Sequence, residues 1–317
     1  MKIGILFPGY GSQFVGMGKE FYDESRVVQE YFEEAANCLN TNFVKLCFAS
    51  SDSEISKMHN AYTSTFLVSC ALYALLKEEG IKADIVAGYN LGEYAALHAA
   101  GGINFPDGLY LLNKYATLYQ EALETMGVGI LQVTGISTKT LQEICETSSK
   151  GAYRVDIAIY NSPTDHIVSG HSPAVAAVRG FVAQDPVATS KELPVEIGLH
   201  SDLMNAIMDS LAIYLEKVDF KDIAIPLMCS AEICNVKEAD QVRRRIIEHV
   251  DTPVKWDKVL DALADYDLLI EVGPGTTLTT MVKEKYPDKL SISINKRSDV
   301  DDLKKMMNQS TPVVSET

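Results

Sequence analysis

The run Ile85-Val86-Ala87-Gly88-Tyr89-Asn90-Leu91-Gly92-Glu93-Tyr94-Ala95-Ala96-Leu97 constrains the fold of this chain more than any other stretch. A short β-forming run enters a turn bounded by two glycines, and a helix-forming run leaves it. That is the strand-turn-helix pattern G-x-S-x-G, with Asn90 at the position of the serine. Such a turn exposes its central side chain at the tip of a strand. The first N–H groups of the helix can then stabilise an oxyanion. The glycines are required because neighbouring backbone passes too close for a β-carbon.

The surrounding sequence alternates strands and helices, which argues for a largely parallel sheet covered by helices. Strands are expected at 3–7, 84–87, 223–228 and 268–272. Helices are expected at 61–79, where apolar residues recur at helical spacing up to Gly80, and at 91–100, stopped by Gly101-Gly102. Between 128 and 195 the rhythm changes. Strands at 130–134, 156–160, 167–169 and 188–194 and helices at 138–147 and 173–184 give the order βαββαβ, the split ferredoxin-like unit. The expected organisation is a large α/β domain at 1–127 and 196–300, an inserted subdomain at 128–195 and a C-terminal tail at 301–317, frayed from Gln309 onward.

Composition limits the partners. The net charge of −15 makes nucleic acid and anionic membrane poor ones, and Arg243-Arg244-Arg245 is the only tight basic cluster. Such a run is more often a solvated helix face than a docking surface. No apolar run approaches the roughly 20 residues of a membrane helix. The opening residues read as a first strand and not as a signal peptide. The six cysteines contain no Cys-x-x-Cys pair and read as reduced thiols, so a cytoplasmic location is expected. His59, His98, His166, His171 and His249 have no metal-ligand spacing, and no metal or other cofactor is implied.

Two runs carry a resemblance to a known family. Phe7-Pro8-Gly9-Tyr10-Gly11-Ser12-Gln13 and Gly88-Tyr89-Asn90-Leu91-Gly92-Glu93-Tyr94 resemble the signatures F-P-G-Q-G-S-Q and G-H-S-L-G-E-Y. Those belong to the malonyl-CoA:acyl-carrier-protein transacylases and polyketide acyltransferase domains. Asn161-Ser162-Pro163, His200 with Leu203-Met204, Thr252-Pro253-Val254-Lys255-Trp256 and Glu271-Val272-Gly273-Pro274-Gly275 follow in family order over about residues 1–295. The resemblance implies an α/β-hydrolase-like domain with an inserted ferredoxin-like subdomain. It also implies acyl-CoA as substrate and acyl carrier protein as partner. His200 falls on the position of the catalytic base, and the carbonyl that orients it falls at about His249. The oxyanion donors would be the N–H groups of Leu91 and Tyr10.

The departures from the family cluster in the pocket. Asn90 stands at the nucleophile position, Tyr89 replaces the histidine before it, and Tyr10 replaces the signature glutamine. Tyr115 stands where an arginine pairs with the malonyl carboxylate, and Tyr62 falls on a further pocket glutamine. Asn161 completes the pocket set. A carboxamide nitrogen has a delocalised lone pair and cannot replace a base-activated hydroxyl as acyl acceptor. Without a guanidinium the pocket also lacks the planar fork that matches a carboxylate. Three readings follow. One is a carrier-protein-binding or scaffolding relative without acyl transfer. Another is altered chemistry, with His200 as base in a thioester hydrolase or acyltransferase for neutral acyl groups. The last is transfer through another hydroxyl, with Ser12 and Tyr89 nearest.

Overall fold

A computed structural model describes residues 1–195, 200–229 and 235–309. Six strands form the larger sheet: β1 (Ile3–Phe7), β2 (Ile85–Gly88), β7 (Leu227–Met228), β8 (Asn235–Val236), β9 (Leu268–Val272) and β10 (Leu290–Ile294). Their order is β10-β9-β1-β2-β7-β8, parallel except for β8. Strands β1, β2 and β9 are buried along their whole length, as parallel strands covered on both faces must be. Four strands form the second sheet: β3 (Val128–Thr134), β4 (Val155–Ser162), β5 (Asp165–His171) and β6 (Thr189–Leu193). Their order, β4-β5-β3-β6, with helices Thr138–Ser148 and Ser172–Val182 between them, is the ferredoxin-like arrangement. Each sheet has its own apolar core.

The two units are stitched together. Residue Val254, after the second sheet in sequence, forms a parallel bridge with Ile159 of β4. The N–H of Tyr160 donates to the Val254 carbonyl at 2.8 Å, and the N–H of Val254 donates to that of Ala158 at 2.8 Å. This fixes the segment after His249 against the small unit, which matters for the site.

Three expectations need correction. The strand expected at 223–228 shrinks to β7, because Pro226 has no N–H to donate. The N–H groups of Ile223 and Ala224 donate instead to the carbonyls of Lys237 and Ala100. The helix after the elbow runs from Gly92 to Ala100, with Leu91 as its N-cap. The tail expected from 301 begins as the helix Arg297–Gln309, which buries Val300 and Leu303 and packs Met306 and Met307 against the core of the larger unit. The expected fraying beyond it, residues 196–199 at the expected domain boundary, and Cys234 lie outside the described residues.

Candidate functional site

The elbow sits at the carboxyl end of β2, beside that of β1, where ligands bind in open α/β sheets. The Tyr89 N–H donates to the Phe7 carbonyl at 2.9 Å, tying the turn to β1. A β-carbon on Gly92 would stand 2.1 Å from the Phe7 oxygen, and one on Gly88 2.1 Å from the Glu93 nitrogen. The crossing is therefore possible only with glycine. Asn90 takes a left-handed backbone conformation, φ 53°, which asparagine adopts more readily than most side-chain-bearing residues.

Asn90 is 1% exposed, and His200 is 2% exposed. The Nε2 of His200 lies 3.2 Å from the Asn90 carboxamide, and its Nδ1 lies 3.0 Å from the carbonyl oxygen of His249. Burial, and next the neighbouring His249, push the His200 imidazole down to about 3. Burial pushes His249 down to about 4. Both rings are neutral at physiological pH. A neutral His200 places its proton on Nδ1, where the His249 carbonyl accepts it, and leaves Nε2 as acceptor. The Asn90 atom at 3.2 Å is the carboxamide Oδ1, itself an acceptor, so this contact is a hydrogen bond only when Nε2 carries a proton.

The His249 ring packs edge-on against His200, with centroids 4.9 Å apart, and its Nε2 is 3.7 Å from a Glu93 carboxylate oxygen. Glu93 is itself buried. In sequence it is legible only as an acid favoured in a first helical turn. Its neighbour across the fold, some 150 positions away, gives no local signal. Among the described residues, no group of three or more His, Cys, Asp or Glu is placed to hold a metal ion.

The tyrosines pack on one another and on their surroundings. Tyr115 stacks between Tyr62 and Tyr119, at 6.1 and 5.9 Å, and Tyr10 meets Tyr62 edge-on at 6.0 Å. Tyr62 and Tyr115 are buried. The Tyr10 hydroxyl donates to the Ser56 carbonyl, away from the elbow. Tyr89 packs against Trp256, and its hydroxyl donates to the Asn161 Oδ1 at 2.9 Å. Burial holds the Tyr89 and Tyr115 phenols well above their ordinary range, so both stay protonated. Lys114, beside Tyr115 in sequence, directs its ammonium over the rings of Tyr110 and Tyr214, at 5.7 and 5.5 Å. It supplies no cation in place of the arginine.

The two other candidate hydroxyls are engaged elsewhere. Ser12 Oγ donates to the Gly9 carbonyl at 2.7 Å within its own turn, and Tyr89 is committed to Asn161. Of the oxyanion positions, the Leu91 N–H has no acceptor among the described residues. His200 lines a cleft of about 370 Å³ between the two units, together with Gln142, Glu146, Asp156, Tyr160 and Asp251 among others.

An acyl transferase domain family model matches residues 5–306. The chain is 30% identical over 285 residues to a malonyl CoA-acyl carrier protein transacylase of Bacillus subtilis strain 168, covering 89% of this chain and 90% of that protein. It is 29% identical to one from Escherichia coli K12, over 89% of this chain and 92% of the relative. Among solved structures it is similar to an acyl-carrier-protein S-malonyltransferase from Burkholderia pseudomallei 1710b, with TM-score 0.91, 28% identity, and 96% and 100% of the two chains covered. It is also similar to a malonyl-transacylase solved in complex with a type II polyketide acyl-carrier protein, with TM-score 0.89, 25% identity, and 95% and 98% covered.

Proposed function

The chain belongs to the malonyl-CoA:acyl-carrier-protein transacylase family of acyl transferase domains, and from that premise we propose that it is a carrier-protein-binding member without acyl transfer. The observation that carries this reading is the Asn90–His200 contact. An amide that cannot accept an acyl group spans to the imidazole that would otherwise activate a hydroxyl. Loss of such a nucleophile lowers turnover about a millionfold in a well-studied hydrolase, leaving binding and the oxyanion hole.

The pocket supports the same reading. Stacked Tyr62, Tyr115 and Tyr119 occupy the region where the family's guanidinium would meet malonate, and the adjacent Lys114 turns to Tyr110 and does not replace it. Among the described residues, the cleft beside His200 is lined by the carboxylates of Glu146, Asp156 and Asp251 and by no lysine or arginine, which opposes entry of the phosphates of coenzyme A. What is retained is the scaffold that in a relative holds a carrier protein.

A second reading has one observation in its favour. The cleft reaches His200, so the imidazole could act as base on water in thioester hydrolysis, with Asn90 as hydrogen-bond donor. The two are separated by mass spectrometry of the protein after exposure to malonyl- and acetyl-CoA, a thioester hydrolysis assay, and titration with a holo acyl carrier protein. Carrier binding with neither adduct nor hydrolysis supports the first. Hydrolysis abolished in His200→Ala establishes the second.

A further inference from the structure

The cleft between the two units has a charge pattern of its own. Glu146, Asp156 and Asp251 line it, and among the described residues no lysine or arginine does. Residues 196–199, 230–234 and 310–317, outside the described ones, contain neither type in sequence. The acidic balance of the chain does not by itself explain this. In three other clefts a lining carboxylate is paired, Glu192 with Arg179, Asp257 with Lys285 and Glu33 with Arg26. Burial first, then the carboxylates of Asp156 and Glu146, push the Cys145 thiol in the same wall up to about 12, so the two charges converge on one spot. A second observation is independent of charge. Ser201 also lines the cleft and is 7% exposed, and its Oγ has no hydrogen-bond partner. A buried hydroxyl left unpartnered is costly, so an orphan on the wall of a cleft marks a place that a bound group completes.

We propose that this cleft binds a protonated primary amine at the end of a short alkyl chain, its ammonium held by the Ser201 hydroxyl oxygen and the lining carboxylates. Exposure orders the wall. His200 and Ser201 are buried at its floor, Asp251 is half-buried, and Asp156 and Glu146 are exposed at its mouth. An ammonium has three N–H donors and no acceptor, which suits a wall of acceptors. Gln142 is engaged in a hydrogen bond with Tyr160. A metal ion fits less well, because no three carboxylate, thiol or imidazole groups among the described residues stand close enough to ligate one. Ile157 and Pro253 give the methylene stem an apolar surface, as lysine stems find elsewhere. The mouth carboxylates are screened by water, so the buried Ser201 decides affinity more than they do. Two sources present this chemistry: a free alkyl amine, or an acyl chain ending in an amine and carried as a thioester on a carrier protein. The second source rests on the carrier-binding reading, and the first does not.

The test compares butylamine, n-butanol and butyrate, which share a chain and differ in the head group. In an NMR titration of the full chain, butylamine should shift the backbone amides of Ser201 and Asp251. It should bind about tenfold tighter or more than n-butanol, with butyrate weaker than either. Ser201→Ala should weaken butylamine about tenfold. Glu146→Gln combined with Asp156→Asn, at two exposed positions, should weaken it about threefold and flatten its salt dependence. Butylamine no tighter than n-butanol, or unaffected by Ser201→Ala and by the double variant, overturns the proposal. A second arm compares carrier proteins bearing butyryl and γ-aminobutyryl thioesters. Tighter binding of the amine-bearing carrier, lost in Ser201→Ala, assigns the site to a carrier-borne chain. Equal binding of the two carriers, with butylamine still selected, assigns it to a free amine. If neither carrier binds, the carrier-binding reading falls and the butylamine titration still decides the site.

Discussion

The Nε2 of His200 lies 3.2 Å from the carboxamide of Asn90, across 110 positions of sequence. Because His200 Nδ1 faces the His249 carbonyl and the ring is neutral, its one proton sits on Nδ1 and the Nε2 lone pair faces the Asn90 Oδ1. The charge state of the pair therefore depends on what stands at position 90. Asn90→Asp keeps the shape and tolerates the left-handed backbone. It also places a carboxylate against Nε2, which favours the imidazolium. The His200 pKa, now about 3, should rise by about two pH units, read from its ring resonances by NMR. An unmoved titration would mean that the side chain of residue 90 does not face the ring.

The two buried histidines also govern the acid side of the stability profile. In the unfolded chain each titrates near 6.5, while in the fold they lie at about 3 and about 4. Between pH 6.5 and 4 the unfolded chain binds protons that the folded chain does not. Stability should therefore fall as pH falls, by up to about 1.4 kcal/mol per pH unit for each histidine. Urea unfolding at pH 7, 6 and 5 measures this. His249→Gln keeps the backbone carbonyl and should remove about half of the contribution from the pair.

The hydroxyl of Tyr89 joins the elbow to Asn161 at the end of β4, in the small unit. Tyr89→Phe leaves the ring on Trp256 and orphans the Asn161 oxygen. A loss of about 1–2 kcal/mol is expected, seen as a lower denaturant midpoint at unchanged slope. An unchanged midpoint would show that solvent replaces the donor.

Glu271 is fully buried at the end of β9. It accepts from the N–H groups of Leu278 and Thr279 and from the Thr279 hydroxyl, at 2.7–3.0 Å. It thus caps the helix Thr277–Lys285, although burial raises its pKa. Glu271→Ala orphans all three donors and should destabilise by about 3 kcal/mol, with Glu271→Gln in between. Equal midpoints for the two variants would exclude the cap as the cause.

Much of this was legible in the sequence because it is written in local patterns. The elbow, its glycines and the βαββαβ order of 128–195 follow from turn residues and alternation that act within a few positions. The two-residue β7 was not legible, since its length depends on Pro226 and on carbonyls of Lys237 and Ala100 contributed from elsewhere. The helix Arg297–Gln309 was obscured because its apolar residues are few and its face is defined only by the sheet it covers.

The sequence by itself determined that an asparagine replaces the nucleophile and that tyrosines replace the polar pocket residues, because identity at a motif position needs no coordinates. Only the tertiary structure decided that Asn90 touches His200, that Glu93 meets His249, that Lys114 turns away to Tyr110 and Tyr214, and that Ser201 is left without a partner on the wall of an acidic cleft. Those outcomes rest on distances between residues far apart in the chain. Packing fixes such distances, and the forces that set them act through space and not along the backbone.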